Sequence, residues 1–328
     1  MSFLRLTGDA RTDIVKLRSW LAVSSAPPVL IETSGSTGLP KRVVLSRDAV
    51  LASASSTAAR IGTGQWWLAL PSSYVAGMMV VVRSLLAGQD PLLGTRRSGY
   101  VDARFVSLVP TQLRRLLDIE PGKLRGFDTV LIGGGPLDPL LRARAEEAGV
   151  RLISTYGASE TSGGCVYDGL PLEGVFVRIE PDGRVAIASR SLFDRYDGDP
   201  ELTARTLVGG WYLTSDYGQL VNGRLRVTGR TDDVVISGGV NVPTPAVAAR
   251  LREHPHVEQV EVLGVPHDEW GQAVVAFVVG TITREEARDW VSEVHPRTWA
   301  PYEVHTVTEF PLLANGKIDR QRLRGLFG

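Results

Sequence analysis

The sequence predicts an α/β fold followed by an α+β unit, and three observations carry that expectation. Over the first two thirds, short apolar runs alternate with helical patterns, as strands and helices of a largely parallel sheet do. After Gly169 short strands take over, separated by Asp-Gly and Asn-Gly turns. From about Asp232 a compact mixture of helix and strand resumes. Two domains are expected, 1–231 and 232–328.

The elements follow in order. Apolar runs predict strands over 29–32, 67–70, 105–109, 129–132 and 152–153. Helical patterns between them cover 47–60, 77–86, 111–118 and 139–148. The last of these has Asp138 as its N-cap and Pro139 at the first helical position. Short strands are then expected over 175–179, 184–188 and 224–227. In the final stretch Thr244 and Pro245 open a helix, and strands cover 257–262 and 273–279. Thr283 and Glu286 form a capping box for a helix ending near Val294.

Composition narrows the function classes. The 328 residues are 43% hydrophobic and 22% charged, ordinary for a globular chain and unlike a disordered or fibrous one. The 36 basic and 36 acidic side chains cancel, and basic residues do not cluster with aromatics, so no nucleic-acid partner is expected. The stretch 61–82 is uncharged and long enough to span a bilayer, but it holds Pro71 and three glycines, with its dense apolar run only at 78–82. A buried strand and loop explain it better, so no membrane insertion is expected. The first thirteen residues lack the apolar core of a signal peptide. The lone cysteine, Cys165, fits a reducing compartment and excludes a thiolate zinc cluster. A cytoplasmic protein is the expectation.

Five segments carry candidate chemistry. Thr33-Ser-Gly-Ser-Thr-Gly-Leu-Pro-Lys41 follows a strand, and its glycines, hydroxyls and lysine suit a polyphosphate. It is not a Walker A loop, because Pro40 stands where the second glycine belongs. A Ser/Gly-rich surface loop has the same composition. Leu131 to Leu137 contains Gly133-Gly-Gly-Pro136 and suits either a flat ring laid on backbone or a tight strand-to-helix turn. Ser154-Thr-Tyr-Gly-Ala-Ser-Glu-Thr161 gathers a ring, hydroxyls and a carboxylate able to stack a base, touch a phosphate and hold Mg²⁺, or forms a polar loop around a buried tyrosine. Asp216 at a strand end, with Arg230, Asp232 and Asp233 beyond it, suits a ribose diol or a structural ion pair. Lys317 follows an Asn-Gly turn, the ordinary place for a solvated lysine.

Together these segments resemble the adenylate-forming superfamily of acyl-CoA synthetases, peptide-synthetase adenylation domains and luciferases. The likeness runs from 32 to 319 and keeps the family's motif order. Within it, Val106-Ser-Leu-Val-Pro-Thr-Gln-Leu-Arg-Arg-Leu-Leu117, the segment 131–136 and the short region before the phosphate loop are most similar to the o-succinylbenzoate–CoA ligases of menaquinone biosynthesis. The resemblance implies a large adenylate-forming domain and a small mobile carboxyl-terminal cap hinged at Asp232. It also implies ATP, Mg²⁺ and coenzyme A as ligands and a small aromatic carboxylate as substrate, with a homodimer left open.

By the same resemblance, Thr33, Ser34, Gly35, Ser36, Thr37, Gly38 and Lys41 hold the β- and γ-phosphates. Gly134, Gly135 and Pro136 flank adenine, opposite Thr155, Tyr156 and Gly157. Ser159, where threonine is usual, touches the α-phosphate, and Glu160 binds Mg²⁺. Asp216 and Arg230 take the ribose hydroxyls; Ser237, Gly238 and Gly239 line the pantetheine tunnel; Lys317 bridges carboxylate and α-phosphate. Tyr74 stands where the family often has an aromatic or histidine, and Tyr74, Gly135 and Ser162 are its acyl-pocket candidates. Arg83, Ser162 and Thr111 are the candidates for holding a second carboxylate. The implied activity is ligation of o-succinylbenzoate to CoA. Another aryl- or acyl-CoA ligase, or a non-catalytic nucleotide-binding relative, stands as the alternative.

Overall fold

A computed structural model of the chain describes residues 2–33, 40–94 and 103–327, the Asp232 side chain excepted. Ser34, Gly35, Ser36, Thr37 and Gly38 of the expected phosphate loop lie outside the described residues. The chain forms two compact units. The first comprises Met1–Thr214, Leu220–Arg226 and Ala314–Lys317; the second comprises Ser215–Gln219, Val227–Leu313 and Ile318–Gly328.

A six-stranded sheet organises the first unit. Its order is Trp66–Trp67, Phe105–Leu108, Thr129–Ile132, Leu152–Ala158, Gly163–Tyr167 and Leu170–Pro171. The first four run parallel, and the last two return antiparallel. Parallel strands need crossover helices, which Pro110–Ile119 and Pro139–Glu147 supply. Asp138 caps the second of these, its carboxylate accepting from the Leu140 and Leu141 amides at 2.8 and 3.4 Å. A four-stranded sheet orders Leu4–Arg5, Val29–Thr33, Lys41–Leu45 and Arg195–Tyr196. The β-rich segment forms a five-stranded sheet around Val175–Ile179, Arg184–Ser189 and Trp211–Val221.

The apolar run 78–82 is helical, as the pattern over 77–86 predicts, and is not the buried strand that the uncharged stretch also suggested. It lies in Val75–Leu86, and Met78 to Val82 are all 0% exposed, which places this helix inside the main core. Burial of one such side chain contributes about 1.5–3 kcal/mol. Among the described residues no helix is long and apolar enough to cross a membrane.

In the second unit Val240–Pro243, Val234–Ser237, Gly271–Gly280 and Val257–His267 form an antiparallel sheet, with Glu303–Thr306 added parallel to Gly271–Gly280. The expected capping box is present, with Thr283 N donating to Glu286 Oε2 at 2.8 Å and Glu286 N donating to Thr283 Oγ1 at 3.2 Å.

Two of the expected strand features differ in the structure. The strand expected over 67–70 ends at Trp67, because the Ala69 carbonyl is taken by the Gln112 side chain at 2.8 Å instead of by a neighbouring strand. Asp216 lies in the middle of Trp211–Val221, not at a strand end. Tyr212, Thr214, Asp216 and Gly218 are the buried alternate positions there, so two polar side chains occupy the inward face and conceal the apolar alternation.

Candidate active site

Ligands of open α/β sheets sit beyond the carboxyl ends of the parallel strands. Three adjacent strands deliver sequence-predicted residues there. Phe105–Leu108 leads to Val109 and Thr111, Thr129–Ile132 leads to Gly133–Pro136, and Leu152–Ala158 carries Thr155, Tyr156 and Gly157. The Thr155 hydroxyl donates to the Ile132 carbonyl at 3.1 Å, tying the second and third of these segments together.

Tyr156 and Gly157 are not in a loop. Strand pairing continues through Ala158, and the chain then makes a single 3-10 turn, Ser159–Thr161. Gly157 permits the tight return, since a Cβ there would lie 2.2 Å from the Gly163 carbonyl oxygen. The turn buries Glu160, which is 7% exposed, and presents its carboxylate to Tyr196. Tyr196 Oη donates to Glu160 Oε1 at 2.7 Å. Burial, reinforced by the adjacent Glu160 carboxylate, pushes the Tyr196 phenol well above its ordinary value, so it remains a proton donor at working pH. Lys41 Nζ stands 5.8 Å from the Tyr196 ring centroid, a cation–π distance. Thr33 closes the loop base across from Lys41, its hydroxyl 3.5 Å from the Lys41 carbonyl.

The acyl-pocket candidates separate. Tyr74 is half-buried at the N-cap of Val75–Leu86 and makes no side-chain cap. Gly135 has nothing within 4 Å of an added Cβ. Ser162 is 0% exposed, in left-handed conformation, and its hydroxyl donates to the Ser191 carbonyl at 2.9 Å. That sealed position makes it a support for the 3-10 turn. The Thr111 hydroxyl is likewise engaged, donating to the Gly316 carbonyl at 2.6 Å. Arg83 is different: its Nε is buried with no hydrogen-bond partner, and its guanidinium lies 5.4 Å from the Trp66 ring centroid. Burial lowers its proton affinity, partly offset by Tyr167, yet a guanidinium keeps its proton in any protein.

Lys317 belongs to the first unit through the segment Ala314–Lys317. Its side chain runs over the backbone of Gly134, whose added Cβ would lie 2.9 Å from Lys317 Cε and 3.7 Å from Nζ. The lysine therefore reaches one of the residues expected beside adenine. Cys165 is no nucleophile. It is 2% exposed, and burial pushes its thiol up to about 12.

Within the second unit, Arg230 Nη1 meets Asp216 Oδ1 at 2.7 Å, and Asp216 is 9% exposed. Ser237-Gly238-Gly239-Val240 is a two-residue hairpin, with φ of 54° and 80° at the glycines, the signature of a primed turn. Asp232 lies in the 3-10 turn Thr231–Asp233, and its side chain is outside the described residues.

Sequence reasoning missed two functional candidates. Tyr196 lies in a two-residue strand without periodicity, 36 positions from the carboxylate it serves. Arg320 clamps Asp233 and Glu261, both at 2.6 Å. Neither pairing leaves a local sequence signal.

Mg²⁺ is compatible with Glu160. A buried carboxylate offers hard oxygen ligands, and Mg²⁺ is commonly held by one or two carboxylates together with substrate phosphates rather than by a protein cage. Among the described residues no group of three or more candidate metal ligands occurs.

Comparison with known proteins gives concordant matches. The AMP-binding enzyme family model matches residues 21–187, and its C-terminal domain model matches 246–317. A probable 2-succinylbenzoate–CoA ligase of Mycobacterium tuberculosis is 39% identical over 321 residues, covering 90% of this chain and 83% of the relative. The 2-succinylbenzoate–CoA ligase of Escherichia coli is 33% identical, covering 89% and 67%. Among solved structures, the o-succinylbenzoate CoA synthetase of Bacillus subtilis, in complex with its acyl-adenylate intermediate, superposes with a TM-score of 0.77 at 27% identity, covering 90% of this chain and 68% of that one. The amide bond synthetase McbA of Marinactinospora thermotolerans gives 0.79 at 28%, covering 91% and 68%.

Proposed function

The chain belongs to the AMP-binding enzyme family, and we propose that it is an o-succinylbenzoate–CoA ligase working in the cytoplasm on the route to menaquinone. The geometric observation that carries the adenylation chemistry is the course of Lys317 over Gly134.

A carboxylate is a poor electrophile, so the first step activates it. A substrate carboxylate oxygen attacks the α-phosphorus of ATP, the bond to the β-phosphate bridge breaks, and pyrophosphate leaves. The CoA thiolate then attacks the acyl carbon, and AMP departs. Two anions must meet in the first step, so the Lys317 ammonium supplies charge where they approach and fixes their orientation. Ser159 offers its hydroxyl to the α-phosphate, and Asp216 with Arg230 orients the ribose. Glu160 and the ATP phosphates would hold Mg²⁺, which supplies neutralising charge. Tyr196 keeps the Glu160 carboxylate aimed.

Arg83 fits the second carboxylate of this substrate. A half-buried guanidinium whose Nε is buried without a partner favours an anionic one, because a buried donor left unpaired is costly. Simple benzoates and fatty acids lack the group that would meet it.

The test is pyrophosphate release with ATP and Mg²⁺ across o-succinylbenzoate, benzoate, fatty acids and amino acids, each with and without CoA. A dominant o-succinylbenzoate response, with its CoA thioester found by mass spectrometry, is expected. Release with another acid keeps the mechanism and discards the substrate; no release with any acid discards the ligase.

A further inference from the structure

We propose that Thr111 is a positioning residue that latches the Lys317 turn for adenylation and not for thioester formation. This rests on the ligase assignment above.

The turn is stiff within itself. Asn315 is 9% exposed, and its Oδ1 accepts from the Lys317 amide at 3.1 Å. Gly316 adopts φ 77°, a conformation that side chains other than glycine rarely take. Such a turn fixes the local path of Lys317 but not what it leans on. That second constraint comes from the start of helix Pro110–Ile119. Thr111 Oγ1 donates to the Gly316 carbonyl at 2.6 Å, across 205 positions of sequence. Val109 closes the same contact, with its Cγ2 2.9 Å from where a Gly316 Cβ would stand and its Cγ1 3.2 Å from where a Gly134 Cβ would stand. The cradle is itself braced. Gln112 accepts from the Val109 amide at 3.1 Å and donates to the Ala69 carbonyl at 2.8 Å.

Hydrogen bond and apolar wall together set where the Lys317 ammonium stands, in a reaction sensitive to such placement. The thioester step starts from an adenylate already made: the thiolate attacks an acyl carbon that is already activated and no bond to the α-phosphorus is formed, so the step does not draw on the latch. Thr111 thus acts through Lys317 and need not touch substrate.

The experiment compares Thr111→Val and Thr111→Ser with the unaltered chain in two half-reactions and one chemical probe. Val keeps the shape and removes the hydroxyl; Ser restores it. Thr111→Val should slow o-succinylbenzoate-dependent pyrophosphate release about tenfold, the rate equivalent of one lost hydrogen bond. Thioester formation from supplied acyl-adenylate should stay within about twofold, and Thr111→Ser should restore adenylation. Acetylation of Lys317 by an amine reagent, followed by mass spectrometry, should speed up in Thr111→Val alone. Unchanged adenylation, an equal fall in both half-reactions, or no rescue by Ser overturns the latch while leaving the ligase intact. If the unaltered chain activates no acid, the ligase assignment has failed, and the latch then stands or falls on the acetylation difference.

Discussion

Tyr196→Phe isolates the support of the buried carboxylate. The substitution deletes one hydroxyl and keeps the ring, whose packing on Phe193 at 4.8 Å between centroids is retained. What is lost is the 2.7 Å bond to Glu160, between side chains 3% and 7% exposed. A hydrogen bond to a charged acceptor contributes about 1.5–3 kcal/mol, and a buried acceptor losing its donor falls in that range, so about 2 kcal/mol is expected here. For a unit of this size that corresponds to about 4–8 °C in melting temperature. If Glu160 also holds Mg²⁺, adenylation at limiting Mg²⁺ should fall about 30-fold, the same energy expressed as a rate, and recover in part as Mg²⁺ is raised. Thermal unfolding and a Mg²⁺ titration of pyrophosphate release measure the two effects. The double variant Tyr196→Phe/Glu160→Gln should be no worse than Glu160→Gln alone, because the two groups act as one pair. An unchanged melting temperature with superimposable Mg²⁺ curves would refute the reasoning.

Lys317→Ala should suppress adenylation by about a hundredfold or more while sparing thioester formation from supplied adenylate, in line with the cost of removing one group that stabilises transition-state charge; equal loss in both half-reactions would remove Lys317 from its assigned role. Arg83→Met should raise KM for o-succinylbenzoate about tenfold or more and leave KM for ATP unchanged, as a lost charged hydrogen bond predicts; parallel changes in both would point to misfolding instead. Asp13 is 0% exposed and collects donors from Thr7 N, Thr7 Oγ1, Gly8 N and Ser72 Oγ, at 2.9, 2.9, 2.9 and 2.6 Å. Burial alone would raise its carboxyl, but these donors outweigh burial and hold it below the ordinary 3.8. Its stabilisation is therefore present above that value and lost as pH falls through the lower folded value. Asp13→Asn should cost about 3 kcal/mol at pH 7 and flatten the acid limb of stability, measured by urea unfolding at stepped pH; an unchanged acid limb would remove Asp13 from that role.

Much of the fold is legible locally. Strands Thr129–Ile132 and Val175–Ile179 match their expected bounds, and the Asp138 cap and the Thr283–Glu286 box are both present. Each depends on residues within a few positions of one another. Helix Ala10–Ala22 has no clear sequence signature, because its buried Asp13 stands on the same face as Leu17 and Trp20 and blurs the apolar stripe. Strand Lys41–Leu45 was hidden by its two leading cations.

The sequence by itself determined the class of chemistry. A Ser/Gly loop, a Tyr-Gly-Ala-Ser-Glu-Thr segment and an Asn-Gly-Lys turn in fixed order suffice for the family, because backbone-binding glycines and charged side chains are chosen by the ligand they meet. Tertiary structure alone decided which side chains hold those groups in place. Tyr196 on Glu160, Thr111 on Gly316 and Arg320 on Asp233 join positions 36, 205 and 87 residues apart. A hydroxyl or a guanidinium carries no mark of its partner along the chain. Only folding, which brings distant strand ends together and removes water from between them, makes such a bond both geometrically available and costly to break.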